Sequence, residues 1–200
     1  SEENIMPLGA NKAAIMGVAG VSTAEVVLLS SQTASGDSAL TFNSGITSTY
    51  GEYIFRFYNI NPDTDETHFG FQANVAGASG YNETMTTMQF FPKHYENDAE
   101  SGLNYHAAWD QAQGTAFQQL AVTVGNAADE SAAGELHLFN PASTTYMKQF
   151  YSKVTFCHSA VQVVTDFTAG YFNVTGAIDD IQFKMSSGNF DGKIKMWGVK

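Results

Sequence analysis

After residue 25 the chain consists of short segments in which apolar and polar residues alternate, with turn-forming residues between most of them. Alternation with a period of two is typical of β-strands that have one buried and one exposed face. No apolar stripe of helical period continues for more than about two turns in this region. Strands are therefore predicted over 25–32, 39–42, 53–58, 68–74, 83–91, 118–124, 135–139, 148–157, 167–174, 181–185 and 193–199.

This succession of short strands predicts an all-β fold, a jelly-roll-like β-sandwich, because two packed sheets bury one face of every strand. Such an arrangement also protects the strand edges from pairing with other chains. The stretch 97–113 is the least strand-like part of the pattern, and it predicts a long loop with a short helix.

The clearest strand pair lies at the end of the chain. Ile181, Phe183 and Met185 share one face of a strand, because side chains two residues apart point to the same side. The segment 187–192 supplies Gly and Asn residues that tolerate positive φ. The segment 193–199 then alternates again, so the block predicts a hairpin that closes a sandwich.

The first 22 residues differ from the rest, because they are rich in Ala, Gly and Met and lack the alternation. They predict an extended or short-helical arm (1–22) in front of a single sandwich domain (23–200). Apolar residues in such an arm would be wasted in solvent, so they are expected to contact the sandwich or another subunit. The predicted attachment residues are Met6, Pro7, Leu8, Ile15, Met16 and Val18.

Charge excludes some partners. The net charge is −11, and charged residues make up only 14% of the chain. No basic patch large enough to neutralise several phosphates can be assembled, so a nucleic-acid partner is not expected. The same balance disfavours docking on an anionic membrane, and no segment is apolar enough to predict membrane insertion. Cys157 is the single cysteine, which excludes an intrachain disulfide and predicts a small buried side chain.

Several sequence blocks resemble one family. They are MPLGANKAAIMGVAG, NSGITSTYGEYIFRFYNINP, TMTTMQFF, AWDQAQGTA, LHLFNPASTTYMKQF and FTAGYFNVTGAIDDIQFKMSSGNFDGKIKMWGVK. The chain is similar in these blocks to small jelly-roll structural or tail-fibre-like proteins of marine tailed phages, including those of cyanobacteria. The last block is the most specific. The resemblance implies a non-enzymatic virion protein, located in the virion as a tail, fibre or head-decorating module. It also implies that the arm contacts other virion proteins and that the chain forms a homo-oligomer.

Catalytic motifs do not change this interpretation. The segment 177–182 superficially resembles the strand of glucanase-type jelly rolls that carries two catalytic glutamates, but Ala177 and either Ile181 or Gln182 occupy the glutamate positions. Glycoside hydrolysis needs two carboxylates on opposite sides of one bond. Asp179 and Asp180 are therefore expected to form a solvated turn before a strand. Serine-nucleophile and phosphate-binding glycine motifs are also absent from the sequence.

No cofactor is predicted, although Ca²⁺ would suit the oxygen ligands of two acidic loops. These loops contain Asp63, Asp65 and Glu66 in one case and Glu96, Asp98 and Glu100 in the other. Neither loop has the spacing of a twelve-residue calcium loop. Acidic loops are expected in any chain of this charge, so calcium remains the less favoured reading.

Four aromatic residues in polar, loop-like surroundings leave an alternative open. They are Tyr81, Tyr95, Tyr105 and Trp109. Their rings are expected to pack the loops or a subunit interface, where Tyr and Trp are enriched. Alternatively they stack on sugar faces, in which case the chain is a host-surface carbohydrate-binding module that acts in adsorption.

Overall fold

A computed structural model describes residues 25–200, and all strand pairings among them are antiparallel. This part of the chain contains no helix. Its strands are β1 (Val26–Asp37), β2 (Ala39–Phe42), β3 (Glu52–Pro62), β4 (Thr67–Val75), β5 (Met85–Tyr95), β6 (Ser101–Tyr105), β7 (Ala112–Gly114), β8 (Gln118–Val124), β9 (Ala132–Phe139), β10 (Lys148–His158), β11 (Gln162–Phe172), β12 (Ile178–Met185) and β13 (Phe190–Val199).

The strands form a nearly closed antiparallel sandwich. One layer runs β1-β13-β3-β9-β10-β11-β5, with β6 and β7 paired to β5, and the other runs β8-β4-β12-β2. The layers are joined at one side by the pair of Val124 on β8 with His158 on β10. At the other side β1 leads directly into β2, and the Gln32 side chain donates a hydrogen bond to the Thr41 carbonyl at 2.8 Å. Few strand edges are therefore left open.

Phenylalanine side chains from both layers fill the space between them. Phe183 on β12 is fully buried, and its ring lies 5.3 Å from Phe55 and 5.3 Å from Phe57, both on β3. Phe71 on β4 meets Phe150 on β10 edge to face at 5.0 Å. Edge-to-face packing of this kind stabilises a core beyond the area that it buries. The predicted alternation on β12 is confirmed, because its apolar face is the one that enters this core.

Both strands of the predicted closing hairpin are present, but the hairpin itself is wrong, because β12 pairs with β4 and β2 in one layer whereas β13 pairs with β1 and β3 in the other. Their connection crosses between the layers, and it depends on two glycines. Gly188, between β12 and β13, has φ of +72°, and Gly192, on β13, has φ of +140°. An added Cβ at Gly188 would lie 2.1 Å from Asp63 Oδ1, and one at Gly192 would lie 2.8 Å from the Asn59 carbonyl. Both the backbone conformation and the close neighbours therefore exclude other residues.

Some expectations differ from the structure. The stretch 97–113 contains β6 and β7 and no helix, so the prediction of a short helix is wrong. Asp179 and Asp180 lie within β12, next to an irregularity in its pairing with β4, and so do not form the predicted turn. The predicted arm, residues 1–22, lies outside the described residues. The division of the chain into an arm and a sandwich domain therefore stays a prediction.

Candidate interaction surfaces

The predicted attachment residues Met6, Pro7, Leu8, Ile15, Met16 and Val18 all lie outside the described residues. The predicted aromatics are described, and they are spread over different places. Tyr81 lies in the loop between β4 and β5, where its N–H donates to Asn74 Oδ1 at 2.8 Å. Its phenol lies near Asp179 and Asp180, and burial raises its pKa. Tyr81 therefore belongs to the β12 side of the sandwich.

The other three aromatics lie around β5 and β6. Tyr95 ends β5, with the Lys93 ammonium 5.4 Å from its ring centre. Tyr105 is exposed, and its hydroxyl donates to Asp110, a hydrogen bond that raises the tyrosine pKa. Trp109 packs against His68 at 4.6 Å between ring centres. The Tyr105 hydroxyl and the Trp109 ring thus have different partners, Asp110 and His68, and Tyr81 lies apart from both.

The acidic loops have structural partners. Asp63 Oδ1 accepts hydrogen bonds from the Asn189 N–H and the Thr64 hydroxyl, both at 2.9 Å. In the second loop Glu100 pairs with Lys93 at 2.7 Å, and Asp98 lies 3.1 Å from His94. Among residues 25–200, no group of three or more His, Cys, Asp or Glu side chains is arranged to hold a metal ion.

Polar side chains are buried between β8 and the neighbouring β11. Asp166 is fully buried, its Oδ2 accepts the Val122 N–H at 3.0 Å, and its Oδ1 has no partner among the described residues. Burial raises its pKa to about 7, and the Val122 hydrogen bond opposes this only in part. Because the carboxyl group is enclosed, it has no access to a substrate.

Two histidines near this region are held in the neutral form. His68 Nδ1 accepts the Thr123 N–H at 2.8 Å, and His158 Nδ1 accepts the Ala160 N–H at 3.0 Å. A ring nitrogen that accepts a hydrogen bond carries no proton. Burial lowers the pKa of both rings, which agrees with this geometry.

A shallow cleft lies beside the loop that follows β9. It has a volume of about 390 Å³, and two tyrosines with several small polar residues line it. Tyr146 is 72% exposed, whereas Tyr50 is fixed edge to face on Tyr53 at 5.9 Å. Asn140 at the rim has positive φ, and its N–H donates to the Gly51 carbonyl at 2.7 Å. One exposed and one packed aromatic ring thus flank an amide side chain.

A line of side chains crosses the outside of the larger layer. Each member is the direct cross-strand partner of the next, from β1 through β13, β3, β9, β10 and β11 to β5. We call it the apolar row: Leu28, Trp197, Ile54, His137, Tyr151, Ala169 and Met88.

The apolar row is exposed at its ends and near its middle. Leu28 and Tyr151 are each 45% exposed, and Met88 is 49% exposed. The rings of His137 and Tyr151 are stacked face to face, 4.5 Å apart and 13° from parallel. The Glu52 carboxylate lies against His137 Nδ1 and fixes that ring. The row is therefore a rigid, largely uncharged surface on a strand framework.

Charged residues flank the apolar row on both sides. On one side lies the cationic row, in which Lys195, Arg56, Glu135 and Lys153 are successive cross-strand partners. Arg56 pairs with Glu135 at 3.3 Å, which leaves Lys195 and Lys153 in excess. On the other side lies Glu52. Such a concentration of cations is notable in a chain with 9 basic and 20 acidic residues.

The described chain is thus an antiparallel all-β sandwich whose larger layer carries the apolar row on its outer face. Comparison with protein-family models, with curated proteins and with solved structures gave no match. Among residues 25–200, no helix is long and apolar enough to cross a membrane.

The apolar row could not be found from the sequence. Its members come from seven strands spread between residues 28 and 197, and only the strand order and register bring them into line. The alternation of β10 was a partial signal, because it placed Tyr151 and Lys153 on the face opposite Phe150. No signal in the sequence indicated which strands would lie beside β10.

Proposed function

We propose that this chain is a non-enzymatic structural module of a tailed bacteriophage particle, a jelly-roll-like sandwich on the tail, a fibre or the head. In this proposal residues 1–22 attach the module to other virion proteins, and the sandwich associates with further copies of itself. The sequence blocks that resemble phage structural proteins supply the phage assignment. The apolar row supplies the physical argument for a subunit.

The apolar row exposes large apolar side chains to solvent. Single exposed apolar side chains are ordinary, but contiguous exposed apolar patches mark interaction sites. Here Leu28, Tyr151 and Met88 belong to one line of cross-strand partners, in which Trp197 and Ala169 are half-buried and Ile54 and His137 are buried. Aromatic residues and Arg are the residue types that protein interfaces favour, and Tyr151 and Arg56 occupy adjacent rows. A structural subunit needs such a surface, whereas an isolated secreted enzyme does not.

A non-catalytic role is supported by where the unusual groups lie. Asp166, whose pKa is raised to about 7, is enclosed between β8 and β11. The Asp179–Asp180 pair lies on a single strand, and burial together with the neighbouring Asp179 raises the pKa of Asp180. Acid and base groups of a glycosidase must instead face each other across a substrate.

The proposal is tested on purified phage particles. Phage that encode the full chain, or a chain without residues 2–20, are purified and their proteins are identified by mass spectrometry. The full chain is expected in the particles and the deleted chain in the lysate only. As a control, Leu103→Ala changes an exposed residue of β6 and should not affect incorporation. Normal incorporation of the deleted chain would contradict the arm assignment, and absence of the full chain from particles would contradict the virion assignment.

A host-surface carbohydrate-binding module is the second candidate, and the Tyr50–Tyr146 cleft favours it. Tyrosine rings beside the Asn140 amide offer the stacking surface and hydrogen bonds that sugars use. Binding of the full chain to a glycan array, compared with Tyr146→Ala and Trp109→Ala, would test it. Loss of glycan binding in Tyr146→Ala alone would locate the site in the cleft. Loss of binding in Trp109→Ala alone would locate it at the predicted aromatics, and no binding by the full chain would exclude this function.

A further inference from the structure

We propose that the outer face of the larger layer is the contact surface for a second copy of this chain, in a two-fold dimer whose axis runs along the apolar row. The inference deepens the proposed function, on which its biological meaning rests, by naming the partner and the symmetry. It is carried by the apolar row, by the dimensions of the face and by the positions of the charges on either side.

The dimensions of the face suit a dimer. Seven strands at a spacing of about 4.8 Å cover about 29 Å from β1 to β5. The apolar row and one row on each side cover about 20 Å along the strands, because every second residue advances about 6.8 Å. Covering this rectangle removes about 600 Å² per copy, or about 1,200 Å² in total, from solvent. That area reaches the lower limit of specific, stable interfaces.

The charges select the direction of the two-fold axis. Arg56 and Glu52 lie on β3 at equal distances from Ile54, one on each side of the apolar row. An axis along the row turns the second copy so that Arg56 of one copy faces Glu52 of the other, twice by symmetry. The perpendicular in-plane axis would place the cationic rows of the two copies against each other, with Lys195 and Lys153 in excess on both sides. The first arrangement brings opposite charges together, and the second is repulsive.

Along the chosen axis each member of the apolar row meets its own counterpart. Tyr151 therefore lies near Tyr151 of the second copy, in the interior of the contact, where aromatic residues act as anchors. A flat sugar surface is a poorer occupant of this face. The faces of the His137 and Tyr151 rings are already stacked on each other at 4.5 Å, so they are not open for a sugar ring to stack on.

Sedimentation equilibrium of the full chain measures the proposed association. The wild-type chain is expected to be a dimer at micromolar concentration, and Tyr151→Glu is expected to raise the dissociation constant about 30-fold or more, as the loss of an interface anchor does. Tyr146→Glu is the matched control, because Tyr146 is an exposed tyrosine in the loop between β9 and β10, outside the apolar row, and its replacement should leave the dimer intact. A monomeric wild type, or a Tyr151→Glu chain that dimerises as before, overturns the proposal.

Crosslinking tests the symmetry and does not depend on the Glu variant folding. Face-to-face sheets are about 10 Å apart, so a short bis-maleimide should join the two copies of Tyr151→Cys across the axis. Tyr146→Cys and the wild type, which retains Cys157, should give no such product, and equal crosslinking in all three overturns the proposal.

The failure of the dimer is distinguishable from failure of the proposed function. A monomer that still enters particles contradicts only the dimer, and a dimer absent from particles contradicts only the virion role.

Discussion

Replacing Asp166 with Asn is expected to change how the stability of the sandwich depends on pH. The carboxyl group is fully buried on β11, and Oδ2 accepts the Val122 N–H at 3.0 Å. Asparagine keeps an oxygen for this hydrogen bond and cannot ionise. The substitution therefore removes the buried charge and changes little else in the local geometry.

The magnitude follows from the raised pKa. Burial raises the pKa of Asp166 from 3.8 to about 7, so the folded chain binds the proton more tightly than the unfolded chain does. The stability that this gives is fully present below the unfolded value and is lost as the pH rises through the folded value. With these two values, the free energy of unfolding of the wild type falls by about 3 kcal/mol between pH 5 and pH 8 because of this group alone.

Urea unfolding at pH 5 and pH 8 measures the effect. Asp166→Asn should gain about 2–3 kcal/mol relative to the wild type on going from pH 5 to pH 8, because all other titrating groups are shared and cancel. Asp129→Asn, at an exposed loop position, is the control and should show no such gain. If the difference between Asp166→Asn and the wild type is the same at both pH values, the buried-charge reasoning is wrong.

Three further predictions concern the core, a histidine and the cysteine. Phe183→Ala should lower the free energy of unfolding in urea by about 3–5 kcal/mol, because the ring is fully buried among other phenylalanines. Phe90→Ala, at a half-buried outer position, should lower it clearly less, and equal losses would contradict the packing. Burial lowers the pKa of His68, so the stability that this ring gives is present above 6.5 and is lost as the pH falls below it. His68→Gln should therefore lose less of its thermal midpoint than the wild type does between pH 7.5 and pH 5, and an unchanged loss would refute the assignment. Cys157 is half-buried, not buried as the sequence predicted. Its partial burial and the nearby Glu130 raise the pKa of its thiol, so iodoacetamide should react with it more slowly in the folded chain than in urea, and equal rates would contradict this protection.

Alternation within strands was sufficient to predict the fold class, and boundaries were predicted least well where polar residues enter a strand. The prediction began β11 at Phe167, because Asp166 interrupts the apolar pattern. In the structure Asp166 lies within β11, and its side chain is buried in the sandwich. The prediction ended β5 at Phe91, before Pro92. The strand continues to Tyr95, and Pro92 pairs there with Leu103 of the short strand β6. All residues of β6 are exposed, so it carries no alternation that could have been recognised.

The candidate surfaces were less predictable than the fold. The aromatics were selected because they occupy polar, loop-like segments. Tyr81 and Trp109 do lie in loops, but Tyr95 and Tyr105 are the last residues of β5 and β6, so the loop expectation is wrong for these two. The apolar row depends on which strands are neighbours and in what register, and neither follows from local patterns. Ile54 and Tyr151 are nearly a hundred residues apart in the chain, and both become partners of His137 only through the pairing of β9 with β3 and β10.

A reconstruction of the whole phage particle at side-chain resolution tests the central claim most directly. The account predicts density for this sandwich in the particle, with residues 1–22 against another virion protein and the apolar row of one copy covered by that of a second. The two copies of Tyr151 should lie close together across a two-fold axis. Particles without this chain, or copies whose apolar row faces solvent, would contradict the account.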